Sequence, residues 1–328
     1  MLVLDRSHVR HLGRQGRLLS ERVLVTGALG CVGAWCLKAV LAHGDEPVGY
    51  DLGDRTHRLD LVLSPEERAQ VTLVQGDVTD LEALGRVLDS NAITRVVHLA
   101  ALQVPFCRAD PVLGARVNVV GTVNVFEAVK RRLDRIPGVA YASSAAVYSA
   151  ADPSPAPESG GTAPGTLYGV YKLANEGTAR VYWAESSVPS IGIRPYVVYG
   201  PGRDQGMTSG PTAAMQAAAR GESFEIPYGG VAQYDYAPAV AEAFVRAAAA
   251  PAGAVVANFP GVVAAMADVA ASIEAAAPEP VRISWRDEPL PFPAELQARA
   301  LEQTLGQLPR PSLDEGIRET MERFRAAG

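Results

Sequence analysis

Aromatic side chains are scarce in this 328-residue chain: they make up 6% of it, and eleven of them are tyrosines. Several of those tyrosines gather between Tyr141 and Tyr199, so that stretch draws attention first. Surplus positive charge is also missing. Thirty Lys and Arg stand against 36 Asp and Glu, a net of -6, which gives no global pull toward nucleic acid or an anionic membrane. Cysteine is limited to Cys31, Cys36 and Cys107. An odd number without zinc-ligand company argues against a disulfide framework and against a metal site. Cys31 and Cys36 lie in an apolar helical stretch and read as small buried hydrophobes, which suits a reducing cytoplasm. No apolar run approaches the ~18 residues of a membrane span. The longest candidate, "AEAFVRAAAAPAGAVVANF", is broken by Glu242, Arg246, Pro251 and Gly253. The N-terminal "MLVLDRSHVRHLGRQGRLLSER" is basic but has no apolar h-region or cleavage site, so residues 1–20 read as an extension rather than a signal peptide.

What the chain does have is alternation. "RVLVT" (Arg22–Thr26), "PVGYD" ending at Asp51, "VTLVQGD" (Val71–Asp77), "TRVVHLA" (Thr94–Ala100), "GVAYASS" (Gly138–Ser144) and "PSIGIRPYVVYG" form six β-rich runs. Helical patterns fill the gaps, among them Cys31–His43, Asp80–Asp89 and Val112–Arg132. This order predicts an α/β fold, a Rossmann-type doubly wound parallel sheet, and the near-continuous apolar strands suit burial on both faces. After Tyr199 the alternation loosens. Residues 21–198 are expected to form the dinucleotide-binding domain, and 199–328 mainly a smaller substrate lobe with some elements returning to the sheet. The loop "ADPSPAPESGGTAPG" (Ala151–Gly165) is longer than most, and its length hints at work beside a site.

"RVLVTGALGCVG" sets Gly27, Gly30 and Gly33 between strand one and a helix. Gly27 allows the tight turn, Gly30 the approach of a pyrophosphate, and Gly33 close helix–strand packing. The helix N-terminus offers free N–H groups to the phosphates. Asp51 follows about 20 residues on, where a carboxylate accepts the ribose hydroxyls and repels a 2′-phosphate. That favours NAD over NADP, although Arg55 and Arg58 nearby weaken the preference. Asp77, ending strand three, is placed for an adenine-side contact.

"TGALGCVG", "GDVTD", "VVHLAA", "NVVGTVNVFEA", "SSAAVY", "YGVYK" and "IRPYVVYGPG" occur in this order. Together they resemble the extended short-chain dehydrogenase/reductases, specifically the NAD-dependent epimerase/dehydratase family, over about Arg22 to Gly202. The resemblance implies catalysis by Ser144, Tyr168 and Lys172. It implies NAD contacts from Gly27, Gly30, Cys31, Val32, Gly33, Asp51, Asp77, Val78, Leu99, Ala100, Ala101, Asn118, Tyr168, Lys172, Pro195 and Val198. It also implies a homodimer in which helices near Val112–Arg132 and Thr166–Ser187 form a four-helix bundle. Residues i and i+4 share a helix face, so Tyr168 and Lys172 point the same way. A phenol, with an ordinary pKa of about 10, is a poor base at neutral pH. A nearby ammonium and a cationic nicotinamide ring are expected to lower it. Tyr171 is the other tyrosine in reach, but its i+4 partner, Asn175, carries no charge. His98, inside an apolar strand, and Arg194, before Pro195, read as structural residues.

The reaction is narrower than the family. Ala145 and Ala146 stand where dehydratases of the family carry an acidic pair. Reductase-epimerases acting on GDP-deoxyhexoses use a Cys/His pair, and "SSAAVY" offers no cysteine. Nucleotide-sugar epimerases tend to hold the diphosphate with the arginine of an "R-D-F-x-x-V-x-D" stretch. In "AQYDYAPAVAEAF" Ala232 or Gln233 falls at that arginine, and Ala239 replaces the later acid. Without a guanidinium fork a diphosphate is poorly held, although Arg203 in the following loop can substitute. The expectation is hydride transfer to NAD from a carbinol of a small sugar or sugar acid, with Gln103, Ser143, Tyr148, Tyr196, Arg203 and Thr208 as substrate contacts. A UDP-sugar 4-epimerase and a non-catalytic NAD-binding protein are the alternatives.

Overall fold

A computed structural model describes residues 20–160 and 162–327. Nearly all of the expected N-terminal extension therefore lies outside the described residues.

The strands are β1 (Arg22–Thr26), β2 (Glu46–Asp51), β3 (Thr72–Gln75), β4 (Arg95–His98), β5 (Val139–Ala142), β6 (Ser190–Arg194), β7 (Val197–Tyr199), β8 (Phe224–Ile226), β9 (Val231–Tyr236), β10 (Ala254–Asn258), β11 (Val262–Ala265) and β12 (Ile283–Trp285). Seven of them form one sheet in the order β10-β6-β5-β4-β1-β2-β3. Every pairing within it is parallel. Successive residues of each strand feed opposite cores, as the period of two demands. Val23, Val25, Val97, Ala140 and Ile191 belong to one core, while Leu24, Val96, Val139 and Tyr141 belong to the other. Helices Cys31–Ala42 and Ala237–Ala249 pack together on the first face, and Leu81–Ser90 and Gly121–Lys130 on the second. The chain reverses its winding between β1 and β4, and the carboxyl ends of those strands open the crevice where this architecture binds ligands.

The last β-rich run of the first half breaks where one strand was expected. Pro195 interrupts it: β6 stays in the central sheet, and β7 leaves to pair with β9 in a three-stranded sheet with β11. Proline has no N–H to continue the ladder, and the next amide, Tyr196 N, donates to the buried Asp235 carboxylate at 2.6 Å instead. From the second half, β10 joins the central sheet beside β6.

A second difference concerns apolar length. Residues Pro111–Lys130 run as one helical stretch through a π-helical turn at Arg116–Val120, with mean hydropathy 1.3. That is long and apolar enough to cross a membrane, although no such run was expected; half of it is buried inside the chain. Its exposed side carries Val112, Leu113 and Val120.

Candidate active site

A cleft of about 700 Å³ opens over the carboxyl ends of β1, β2, β4, β5 and β6. Its floor is the glycine turn. Gly27 has φ +69°, and a methyl group there would lie 2.8 Å from the Ala100 amide nitrogen at the end of β4. A methyl at Gly33 would collide with the Gly27 carbonyl oxygen. Gly30 caps helix Cys31–Ala42 with extended backbone and no side-chain cap. The first amides of that helix are thus left for a ligand's phosphates. Asp51 is fixed beside the turn: it accepts from Leu29 N at 2.9 Å and Gly53 N at 3.0 Å. The glycine cradle and the adjoining carboxylate fit NAD.

The catalytic end is built by helix Leu167–Ser186 meeting the turn after β5. Thr166 caps the helix, accepting from Gly169 N at 3.0 Å. Gly169 is what lets the helix in, because any Cβ there would strike the Ala146 carbonyl. Tyr168 is consequently brought beside the Ser144 hydroxyl, which acts to lower its phenol pKa. Ser144 Oγ also accepts from Ala146 N at 3.1 Å. Lys172 Nζ lies 5.6 Å from the centre of the Tyr168 ring and donates to the Ala142 carbonyl at 2.6 Å. Burial draws the Lys172 pKa down to about 8, with Cys107 and Glu176 acting against it.

In the chain by itself Tyr168 is raised, not lowered. Burial raises its phenol above the ordinary value; the Ser144 hydrogen bond and the Arg203 charge oppose this without overcoming it. Tyr171 is turned away, donating to the Pro111 carbonyl at 2.9 Å.

Most of the sequence-predicted residues converge on this cleft. Gly27, Gly30, Cys31, Val32, Gly33, Asp51, Asp77, Val78, Leu99, Ala100, Ala101, Ser143, Ser144, Tyr168, Lys172, Pro195 and Val198 line it, as do Gln103, Tyr196, Arg203 and Thr208. Two do not. Asn118 spends its amide on the loop after β4, accepting from Leu102 N at 2.7 Å and donating to Leu102 O at 2.8 Å. Tyr148 is fully buried; its hydroxyl accepts from Arg194 Nη1 at 2.6 Å and donates to Pro157 O at 2.7 Å. Both fill polar gaps in the core rather than facing a ligand.

Arg194 forms a buried two-pronged pair with Glu176, at 2.7 Å on each side, and Glu176 also accepts from Ser143 Oγ at 2.5 Å. His98 sits between Thr26 and Thr122, and burial, then the Lys172 charge, push its pKa down to about 3, so it is neutral. The described residues of the loop Ala151–Gly165 do not line the cleft. They instead tie down the C-terminal segment: the Glu158 carboxylate accepts from Asn258 N, Arg299 N and Ala300 N. That segment supplies Phe292, which packs edge-on against Tyr196 at 5.8 Å and closes the substrate end.

Other cleft residues escaped sequence reasoning. Asp204 accepts from Arg58 Nε at 3.0 Å and Nη2 at 2.7 Å, joining the loop after β7 to the helix after β2. Trp35 Nε1 donates to Pro201 O at 2.9 Å and holds the same loop. The diphosphate-arginine position also shifts by register. The aspartate of that stretch is Asp235, fully buried on β9, so the residue before it is Tyr234, also buried. The guanidinium is absent on this reading too.

Comparison with known proteins gives the family. The NAD dependent epimerase/dehydratase family matches residues 23–258. A UDP-glucose 4-epimerase of Mycolicibacterium smegmatis is 31% identical over 93% of this chain and 98% of its own. UDP-glucuronate 4-epimerase 5 of Arabidopsis thaliana is 34% identical over 55% of this chain, an alignment that spans 42% of the plant protein's length. The solved UDP-glucose 4-epimerase of Thermus thermophilus, a complex with NAD, superposes with a TM-score of 0.77 at 26% identity, covering 94% of this chain and all of its own. The chain belongs to the NAD dependent epimerase/dehydratase family.

Proposed function

We propose that this chain is an NAD-dependent oxidoreductase that removes hydride from a carbinol carbon of a small sugar or sugar acid. Bound NAD would supply the hydride acceptor. The glycine turn and Asp51 would hold it, with Lys172 at its catalytic end. Tyr168 takes the hydroxyl proton as the C–H bond breaks. Ser144 hydrogen-bonds the same oxygen and orients it. Ser144 and the Arg203 charge act toward the phenolate, against burial.

The observation that carries the small-substrate reading is a pair of buried polar groups left without partners. At the substrate end Gln103 Oε1 and Arg203 Nε are buried without hydrogen-bond partners among the described residues. An acceptor and a cationic donor left waiting suit a hydroxylated, acidic molecule. The test is a panel of free sugars, sugar acids and UDP-sugars with NAD, followed by NADH absorbance. NADH from free sugar acids supports the reading; turnover of UDP-sugars alone would sink it.

A second reading is a nucleotide-sugar 4-epimerase. It is favoured by the mycobacterial relative, which aligns over nearly its whole length. It predicts interconversion of UDP-sugars without net NADH. We also propose a homodimer through the exposed apolar faces of helices Pro111–Lys130 and Leu167–Ser186.

A further inference from the structure

Asp51 is one half of the choice between NAD and NADP; the other half is whether an arginine is free to take a 2′-phosphate. Arg58 is placed to be that arginine. Its Nη1 donates to the Leu29 carbonyl at 3.0 Å, while the Leu29 amide donates to Asp51 at 2.9 Å. Guanidinium and carboxylate therefore flank one residue of the glycine turn, and both line the cleft. Yet Arg58 is occupied. Both Nε and Nη2 are spent on Asp204 Oδ1, and Nη1 on Leu29. The other Asp204 oxygen takes His57 Nε2 at 3.0 Å.

We propose that Asp204 is a determinant of cofactor specificity, acting by engaging Arg58 so that it cannot serve a 2′-phosphate. The inference rests on the cofactor site above and not on the identity of the substrate. Side-chain exposure is 16% for Arg58 and 38% for Asp204, so the pair is largely buried and holds the guanidinium in one place at the rim of the cleft. A guanidinium already forked onto a carboxylate has lost the geometry that makes arginine a phosphate ligand. Its charge is cancelled as well, so an incoming 2′-phosphate would meet Asp51 with no compensating cation held beside it. Arg55 lines the same rim but is exposed, where solvent and salt screen its charge.

The experiment is calorimetric binding of NAD and of NADP to the full chain, which needs no turnover and no known substrate. Asp204→Ala should tighten NADP by about 10-fold or more, as a freed bidentate donor allows, and change NAD by less than about 3-fold. The gain should vanish in the Arg58→Gln/Asp204→Ala double variant. Unchanged NADP affinity in Asp204→Ala overturns the proposal. So does a parallel change in both cofactors, which would make the pair a mere clasp on the cleft, or a gain that survives loss of Arg58. If Asp204→Ala does not fold, as judged by its thermal melt, Asp204→Ser is read by the same criteria. An inactive chain still answers, so failure here is distinct from failure of the proposed reaction.

Discussion

Tyr168 has to lose a proton to act as a base, and its surroundings make that harder. Burial lifts its phenol, while the Ser144 hydrogen bond and then the Arg203 charge pull it back. Turnover should therefore rise with pH on the acid side, as the phenolate fraction grows. Ser144→Ala removes the stronger of the two lowering influences. The acid limb of kcat/KM should then move to higher pH, and the rate at neutral pH should fall by about 10²-fold. An acid limb left in place by Ser144→Ala would mean that the hydroxyl does not tune the tyrosine. Tyr168→Phe lacks the acceptor altogether and should lose about 10³-fold or more, with substrate-free NAD binding retained. The pair itself was legible in the sequence, because i and i+4 on a helix is a local rule. The need for Gly169 was not, because the Ala146 carbonyl it clears belongs to the turn after a different strand.

At the scale of elements, the same division holds between local and distant causes. The glycine turn and the strand–helix order could be read directly, since each depends on neighbours in the chain. The fate of β7 could not. Pro195 was in plain view, but Asp235, which takes the amide of the next residue, Tyr196, lies 39 residues beyond that tyrosine, and the Arg58–Asp204 pair spans 146. Asp235 pins the β6–β7 corner from a fully buried position, and burial raises its pKa from 3.8 to about 8 against the bonds from Tyr196 N and Gln233. The sign of the linkage is that of a raised acid. Below about pH 4 both folded and unfolded chains hold this proton, and the group is neutral for stability. Between there and about 8 the unfolded chain ionises while the folded chain keeps its proton, so stability falls as pH rises. At 1.36 kcal/mol per unit the full effect is on the order of 5 kcal/mol. Asp235→Asn keeps an acceptor for Tyr196 N and removes the titration. Its melting temperature relative to the parent should rise between pH 5 and pH 8. A difference that stays flat across that range would show that Asp235 is ionised in the fold.

For the whole molecule, the proposed homodimer rests on apolar side chains left exposed on two helices. Apolar residues left exposed on helix Leu167–Ser186 include Leu167, Val170 and Val181, which fall on one face of that helix. Val112, Leu113 and Val120 lie exposed on the neighbouring helix Pro111–Lys130, with Phe106 just before it. The two helices pack against each other. In the proposed homodimer each copy would present the same pair of helices across a twofold axis. Such a dimer would explain why a stretch apolar enough to span a membrane is only half buried within one chain. Val170→Glu places a carboxylate in that seam, where it would have to be buried against its own symmetry mate. Light scattering should find the parent at twice the chain mass and Val170→Glu at the chain mass. Because Val170 is exposed in the single chain, far-ultraviolet circular dichroism of the variant should match the parent. A parent that scatters as a single chain, or a variant that remains a dimer, would place the contact elsewhere.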